Sequence, residues 1–155
     1  MQRSAPIDTI ARDDLDALDH EHARLEQFLR DLCDTCTEFF SSSGCQGCDH
    51  VTQACCQGRL VSFYYDFLDL VSEHIENEES IIARYLAHPE DSRFFREHQQ
   101  AHADVIRELR LLMEQSIALS RQGETAAAIR RLHEQISTMF GEHASQFDRD
   151  YHKHA

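Results

Sequence analysis

The sequence has few residues that interrupt helices and no segment that could cross a membrane. Its 155 residues include two prolines, five glycines and no tryptophan, and no window holds 18 consecutive apolar residues. The scarcity of turn-forming residues predicts long regular elements. The lack of a long apolar run excludes a membrane-spanning helix. The first residues contain no apolar stretch typical of a signal peptide, so we expect a cytoplasmic protein.

Basic side chains are also scarce relative to acidic ones. With 15 Lys and Arg against 28 Asp and Glu, the formal net charge is −13. Nucleic-acid phosphates and anionic lipid headgroups both bind basic surfaces. We therefore expect neither a nucleic acid nor a membrane as a partner. The length fits a single domain over residues 1–155, with enough chain to bury a substantial core.

Apolar residues recur at three- and four-residue steps in four segments, and no segment alternates with the period of two that is typical of a strand. The four segments end near Gly44, Pro89, Gly123 and Tyr151. Because the second and third connections are short, neighbouring helices should be antiparallel. The predicted fold class is all-α, an up-down-up-down four-helix bundle. The long first connection, about residues 33–57, is predicted to be an irregular cysteine-rich insert between the first two helices.

Histidines and carboxylates occupy core-facing positions of all four predicted helices. A single histidine on an apolar face is usually a hydrogen-bonded core residue. Burying seven such groups without compensation, however, would cost several kcal/mol each. Side chains four residues apart project to the same side of a helix and can bind one ion together. The predicted metal ligands are His22, His74, Glu78, His98, His102, His143 and Asp148.

The number and type of these ligands favour a centre of two metal ions. Seven ligands exceed the four of a tetrahedral zinc site, and two carboxylates can bridge a pair of ions. Imidazole binds iron, zinc, copper and nickel, whereas bridging carboxylates favour harder ions such as iron or manganese. Iron is common to both preferences.

The order and spacing of these residues resemble the hemerythrin family, specifically bacterial hemerythrin-like proteins. The matching stretches are residues 18–25 (LDHEHARL), 74–79 (HIENEE), 98–102 (HQQAH) and 143–151 (HASQFDRDY). The resemblance implies two iron ions joined by a solvent-derived oxo or hydroxo group. It also implies that His98, His102 and His143 hold one iron and that His22 and His74 hold the other. Glu78 and Asp148 would bridge the two irons.

The resemblance implies reversible O2 binding at the iron with two histidines, for storage, transport or sensing, and NO is a second small ligand of this kind. The alternative is a di-iron enzyme or an iron-handling protein, such as a peroxidase, an NO-detoxifying protein or a factor that repairs iron centres. Five neutral imidazoles and only two carboxylates stabilise high-valent iron weakly. The ligand set therefore favours O2 binding over C–H oxidation.

All six cysteines lie between residues 33 and 56, and they allow three interpretations. Two Cys-x-x-Cys pairs are typical of a structural zinc site. The adjacent pair that remains favours redox-active disulfide chemistry instead. The third interpretation is that the thiols pack as small apolar groups. Either of the first two would make the insert redox- or metal-responsive and would suit a redox or regulatory protein partner. The three pairs are Cys33 and Cys36, Cys45 and Cys48, and Cys55 and Cys56.

Overall fold

Four long helices form an antiparallel bundle in the computed structural model, which describes residues 10–34 and 44–143. Two short 3-10 turns, at Gly44–Gly47 and Pro89–Asp91, precede the second and third helices, and no strand occurs in these ranges. The predicted all-α, up-down-up-down bundle is confirmed. None of the described helices is long and apolar enough to cross a membrane. The helices are α1 (Arg12–Asp34), α2 (His50–Arg84), α3 (Arg93–Arg121) and α4 (Thr125–His143).

Side chains just outside the helices fix where α2 and α3 begin. The carboxylate of Asp49 accepts a hydrogen bond from the backbone N–H of Thr52 at 2.7 Å. The hydroxyl of Ser92 accepts one from the backbone N–H of Phe95 at 3.2 Å. Both satisfy an N–H group that has no partner within its own helix. The short turn between α3 and α4 contains Gly123 at φ 87°, a conformation that favours glycine.

The predicted irregular insert is more regular than the sequence pattern suggested. The apolar periodicity placed the start of the second helix near Leu60, whereas α2 begins at His50. Cys55 and Cys56 therefore lie within α2. Cys33 lies at the end of α1. The Asp49 cap compensates for the lack of large core-facing side chains in the first ten residues of α2.

The core consists of two apolar layers with polar side chains between them. The larger layer draws residues from all four helices and contains a stack in which the Phe63 ring lies 5.3 Å from that of Phe28 and 5.0 Å from that of Phe67. The smaller layer contains Leu18 of α1 and Ile82 of α2. Along α1 and α2, the buried histidines and glutamate fall between these layers.

Candidate metal centre

Each helix contributes histidines or a carboxylate to the polar layer between the two apolar layers. His74 and Glu78 are one turn apart on α2, and His98 and His102 are one turn apart on α3. Of the side chains that converge there, Glu78 is 1% exposed, His98 is 0% and His102 is 3%. His22 of α1 and His143 at the end of α4 are half-buried. The bundle thus holds five imidazoles and a carboxylate away from bulk water.

Six of the seven predicted ligands lie together in two groups. Within each group, one potential ligand atom per residue lies within 4.8 Å of all the others. Glu78 belongs to both groups, so its carboxylate is placed to bridge two ions. Asp148 lies outside the described residues. One group contains Glu78, His98, His102 and His143, and the other contains His22, His74 and Glu78.

The carboxylate of Glu78 stands at the centre of both groups. Its Oε1 accepts a hydrogen bond from Nε2 of His98 at 2.9 Å. Its Oε2 lies 3.3 Å from Nε2 of His74 and 3.4 Å from Nε2 of His102. One oxygen therefore faces α3, while the other faces an imidazole nitrogen from each of α2 and α3. Three Nε2 atoms converge on one carboxylate.

Two carboxylates outside these groups accept hydrogen bonds from the Nδ1 atoms of two of the imidazoles. Nδ1 of His74 donates to Oε2 of Glu21 at 2.7 Å, and the Asn77 amide donates to the other oxygen of Glu21 at 2.9 Å. Nδ1 of His102 donates to Oε1 of Glu79 at 2.8 Å. With the Nδ1 proton donated outward, Nε2 keeps its lone pair toward the centre, as metal binding requires. Sequence reasoning assigned no role to Glu21 or Glu79.

Charges and burial act in opposite directions on the imidazoles. Burial alone would lower the pKa of His74, but its hydrogen bonds to Glu78 and Glu21 and their negative charges raise it overall. Burial would likewise lower the pKa of His102, and Glu78 and Glu79 raise it overall. At His143, burial together with the charges of the neighbouring histidines outweighs the charge of Glu78 and lowers the pKa to about 4.

The carboxylate shared by the two groups is held in its charged form. Burial would raise the pKa of Glu78, but the imidazoles of His102, His74 and His98 that face the carboxylate outweigh this effect, and the pKa lies well below its ordinary value. An ionised carboxylate among imidazoles that face it with nitrogen is the donor set of a cation site.

Comparison with known proteins agrees with this donor set. The model of the hemerythrin HHE cation binding domain matches residues 13–155 of the chain. The chain belongs to the hemerythrin family. Searches of the curated proteins and of the solved structures return no match. The matched region contains both ligand groups, so the site described above is that of a cation-binding domain.

One buried atom gives a direct test of whether the hemerythrin site fits a metal ion. Within the described part of the chain, Nε2 of His102 makes no hydrogen bond, although its side chain is 3% exposed. A buried polar atom without a partner costs free energy, which a metal bond would recover. Because His102 donates from Nδ1 to Glu79, this Nε2 presents a lone pair. The residues present therefore fit a bound cation.

A cavity of about 350 Å³ adjoins both ligand groups of the hemerythrin site. The imidazoles of His22, His74, His102 and His143 line one end. The remaining wall is largely apolar and includes Leu25, Leu29, Ile75, Val105 and Phe140.

The described cysteines belong to neither ligand group of the hemerythrin site. No group of three potential ligands in the described ranges contains a cysteine, and Cys36, one of the four predicted zinc ligands, lies outside those ranges. The thiol of Cys45 accepts a hydrogen bond from the backbone N–H of Ala126 at 3.2 Å. The side-chain amide of Gln53 donates to the carbonyls of Cys45 and Cys48, at 3.0 Å each. These bonds attach the Cys45-x-x-Cys48 turn to α2 and α4. Cys33, Cys45 and Cys55 are free cysteines.

Proposed function

We propose that this hemerythrin-family chain binds two iron ions and holds O2 reversibly, for storage, transport or sensing, with NO as a second small ligand. The observation that supports the proposal best is the pair of unequal ligand groups that share Glu78. Three histidines accompany Glu78 in one group and two accompany it in the other. We further propose that Asp148 is the second bridging carboxylate, as the family resemblance implies.

The unequal division of histidines gives the two positions different tasks. When bound, the irons would supply the electrons and the open coordination position that reversible O2 binding needs. His98, His102 and His143 would hold one ion, while His22 and His74 would leave more room at the other. The two-histidine group borders the cavity, so a small ligand could reach it from there.

The surroundings of the site support reversible binding of O2 over its further reaction. The apolar wall of the cavity limits the water next to the ligand groups. Glu21 and Glu79 each accept an Nδ1 proton and keep His74 and His102 in one tautomer. Neither carboxylate belongs to a ligand group, so the centre keeps the small number of anionic ligands that favours release of intact O2.

Metal analysis combined with optical spectra of anaerobically purified protein tests this proposal. We expect two irons per chain and a visible charge-transfer band that develops in air and disappears when O2 is removed. His22→Ala should abolish the band, whereas His20→Ala should keep it, because His20 is exposed on the same helix. Fewer than two irons, or steady O2 consumption with a reductant in place of a reversible band, would contradict the proposal.

We propose a cytoplasmic location and a redox- or metal-responsive role for the cysteine segment, with a redox or regulatory protein as partner. The free thiols of Cys33, Cys45 and Cys55 suit a reducing compartment. Native mass spectrometry with thiol counting separates the interpretations. A bound zinc would support Cys33, Cys36, Cys45 and Cys48 as ligands, and a disulfide formed under mild oxidation would support redox chemistry. Six thiols that neither bind metal nor oxidise would contradict both.

A further inference from the structure

The lining of the cavity beside the histidines includes surface residues of α1 and α4. Three of its lining residues are exposed, Glu26 of α1 and Ser137 and Gly141 of α4, which marks this side of the cavity as its outer end. Ser137 and Gly141 are one turn apart and present the smallest side chains of the wall. A Cβ added to Gly141 would meet no described atom within 4 Å. The two small residues therefore leave an opening.

The volume of the cavity exceeds what a diatomic gas requires. An apolar protein cavity of about 150 Å³ binds benzene or xenon. The cavity here measures about 350 Å³, so it can hold a ring-sized molecule with space to spare. Sites for small organic ligands in proteins begin at about 300 Å³. The size alone places this cavity in that class.

The lining selects for a particular chemistry. Leucine, isoleucine, valine and phenylalanine side chains form the apolar part of the lining and favour a ligand with an apolar body. The imidazoles at the inner end offer partners for one polar group. The carboxylate of Glu26 at the outer end, together with a net charge of −13 on the chain, disfavours anions.

We propose that the cavity binds a neutral organic molecule with an apolar body of about ring size, which enters between α1 and α4 past Ser137 and Gly141. The inference rests on the proposed function in one respect, namely that the inner end of the cavity faces the bound metals, and it adds a ligand class to that site. Ser137 and Gly141 determine which ligands fit, because larger side chains at either position would fill the opening.

Calorimetric titration of the purified, iron-loaded chain with benzene, phenol and benzoate tests the proposal. Benzene and phenol should bind saturably, with dissociation constants in the millimolar range or below, and benzoate should bind at least tenfold more weakly. Ser137→Leu should weaken benzene binding at least tenfold. Thr138→Leu is the matched control, since Thr138 is an exposed neighbour on α4 that does not line the cavity.

Gly141→Leu provides a second filling variant if Ser137→Leu fails to fold. The proposal would be overturned by the absence of saturable benzene binding. Equal affinities in Ser137→Leu and Thr138→Leu, or benzoate that binds as tightly as benzene, would overturn it as well. The same titration on metal-free protein should give similar benzene binding, because the apolar wall belongs to the chain itself.

The outcome is distinguishable from failure of the proposed function. A reversible O2-dependent band without benzene binding would refute the ligand class and leave O2 binding intact. Benzene binding that depends on Ser137, in a chain with no such band, would support the cavity and refute the proposed function.

Discussion

Two histidines of the centre, His74 and His102, donate from Nδ1 to carboxylates that belong to neither ligand group. Such outer carboxylates orient an imidazole, fix its tautomer and increase its basicity. Glu21 reaches His74 from α1, whereas Glu79 reaches His102 from α2. The orientation of a ligand on one helix therefore depends on a side chain of another helix.

Glu79→Ala should weaken metal binding by roughly tenfold to a hundredfold, the usual effect of removing an outer-shell partner. The physical reason is that His102 loses the acceptor of its Nδ1 proton and becomes free to rotate or change tautomer. Competition with a chelator of known affinity measures the loss. Glu76→Ala is the control, because Glu76 is exposed on the same helix. Equal affinities in the two variants would show that Glu79 does not orient His102.

His143 should make the metal-free protein less stable in mild acid. Its pKa falls from an ordinary value of 6.5 to about 4 on folding. Between these two values the unfolded chain takes up a proton that the folded chain does not, so stability decreases as pH falls from 6.5 to 4. The difference amounts to at most roughly 3 kcal/mol.

Urea unfolding of metal-free protein at pH 7 and pH 4.5 measures this effect. His143→Gln should lose less stability than the wild type between the two pH values. His20→Gln, an exposed position, should follow the wild type. His74, His102 and Glu78 remain in both proteins being compared, so their contributions largely cancel. An identical pH dependence in wild type and His143→Gln would contradict the assignment.

The clustering of these side chains in the polar layer could be predicted from the sequence because several of them repeat with the period of a helix. His74 with Glu78, and His98 with His102, are visible as four-residue pairs within apolar stripes. The outer carboxylates have no such signal. Glu79 is one of 28 acidic residues, and its role depends on how α2 packs against α3.

At the scale of elements, the first ten residues of α2 were missed because they carry no regular apolar stripe. They form a helix because side-chain hydrogen bonds stabilise this part of α2 where apolar packing does not. Asp49 caps the first turn, and Gln57 donates from its side chain to the carbonyl of Ser120 at 3.1 Å. Such side-chain bonds depend on tertiary contacts, whereas the apolar stripes that predicted the rest of the bundle are local.

Ser92→Ala should destabilise the fold by about 1 kcal/mol, the usual cost of losing a serine N-cap. The hydroxyl of Ser92 accepts a hydrogen bond from the backbone N–H of Phe95, and alanine leaves that group unsatisfied. Chemical denaturation of the metal-loaded protein measures the change. Ser80→Ala, exposed on α2 four residues before the helix ends, should be neutral or stabilising, since alanine favours helical positions. A Ser92→Ala variant as stable as the wild type would contradict the capping role.

At the scale of the whole molecule, bound metal should contribute to stability, because the polar layer brings ligands from all four helices together only in the folded chain. A ligand that binds only the folded state at 100 times its dissociation constant stabilises by about 2.7 kcal/mol. We expect removal of metal to lower Tm by several degrees, as measured by calorimetry, and Tm to rise again with added metal.

His98→Ala should reduce this dependence of Tm on metal, whereas His20→Ala, at an exposed position outside the ligand groups, should retain it. A Tm that does not change with metal concentration would mean that the polar layer is satisfied without ions. The assembly of the four ligand-bearing helices could be inferred from the sequence. The cavity between α1 and α4 could not, because its size depends on how closely those helices pack.

The length of α2 separates the thiol of Cys55 from the candidate metal centre. Cys55 and His74 are 19 positions apart on one helix, a distance of roughly 28 Å at 1.5 Å per residue. Cys55 is exposed, whereas the other described cysteines are partly buried. A nitroxide or a fluorophore attached at Cys55 would therefore report from a fixed distance on whether paramagnetic ions occupy the site at His74. The label would not contact any of the groups that hold the ions.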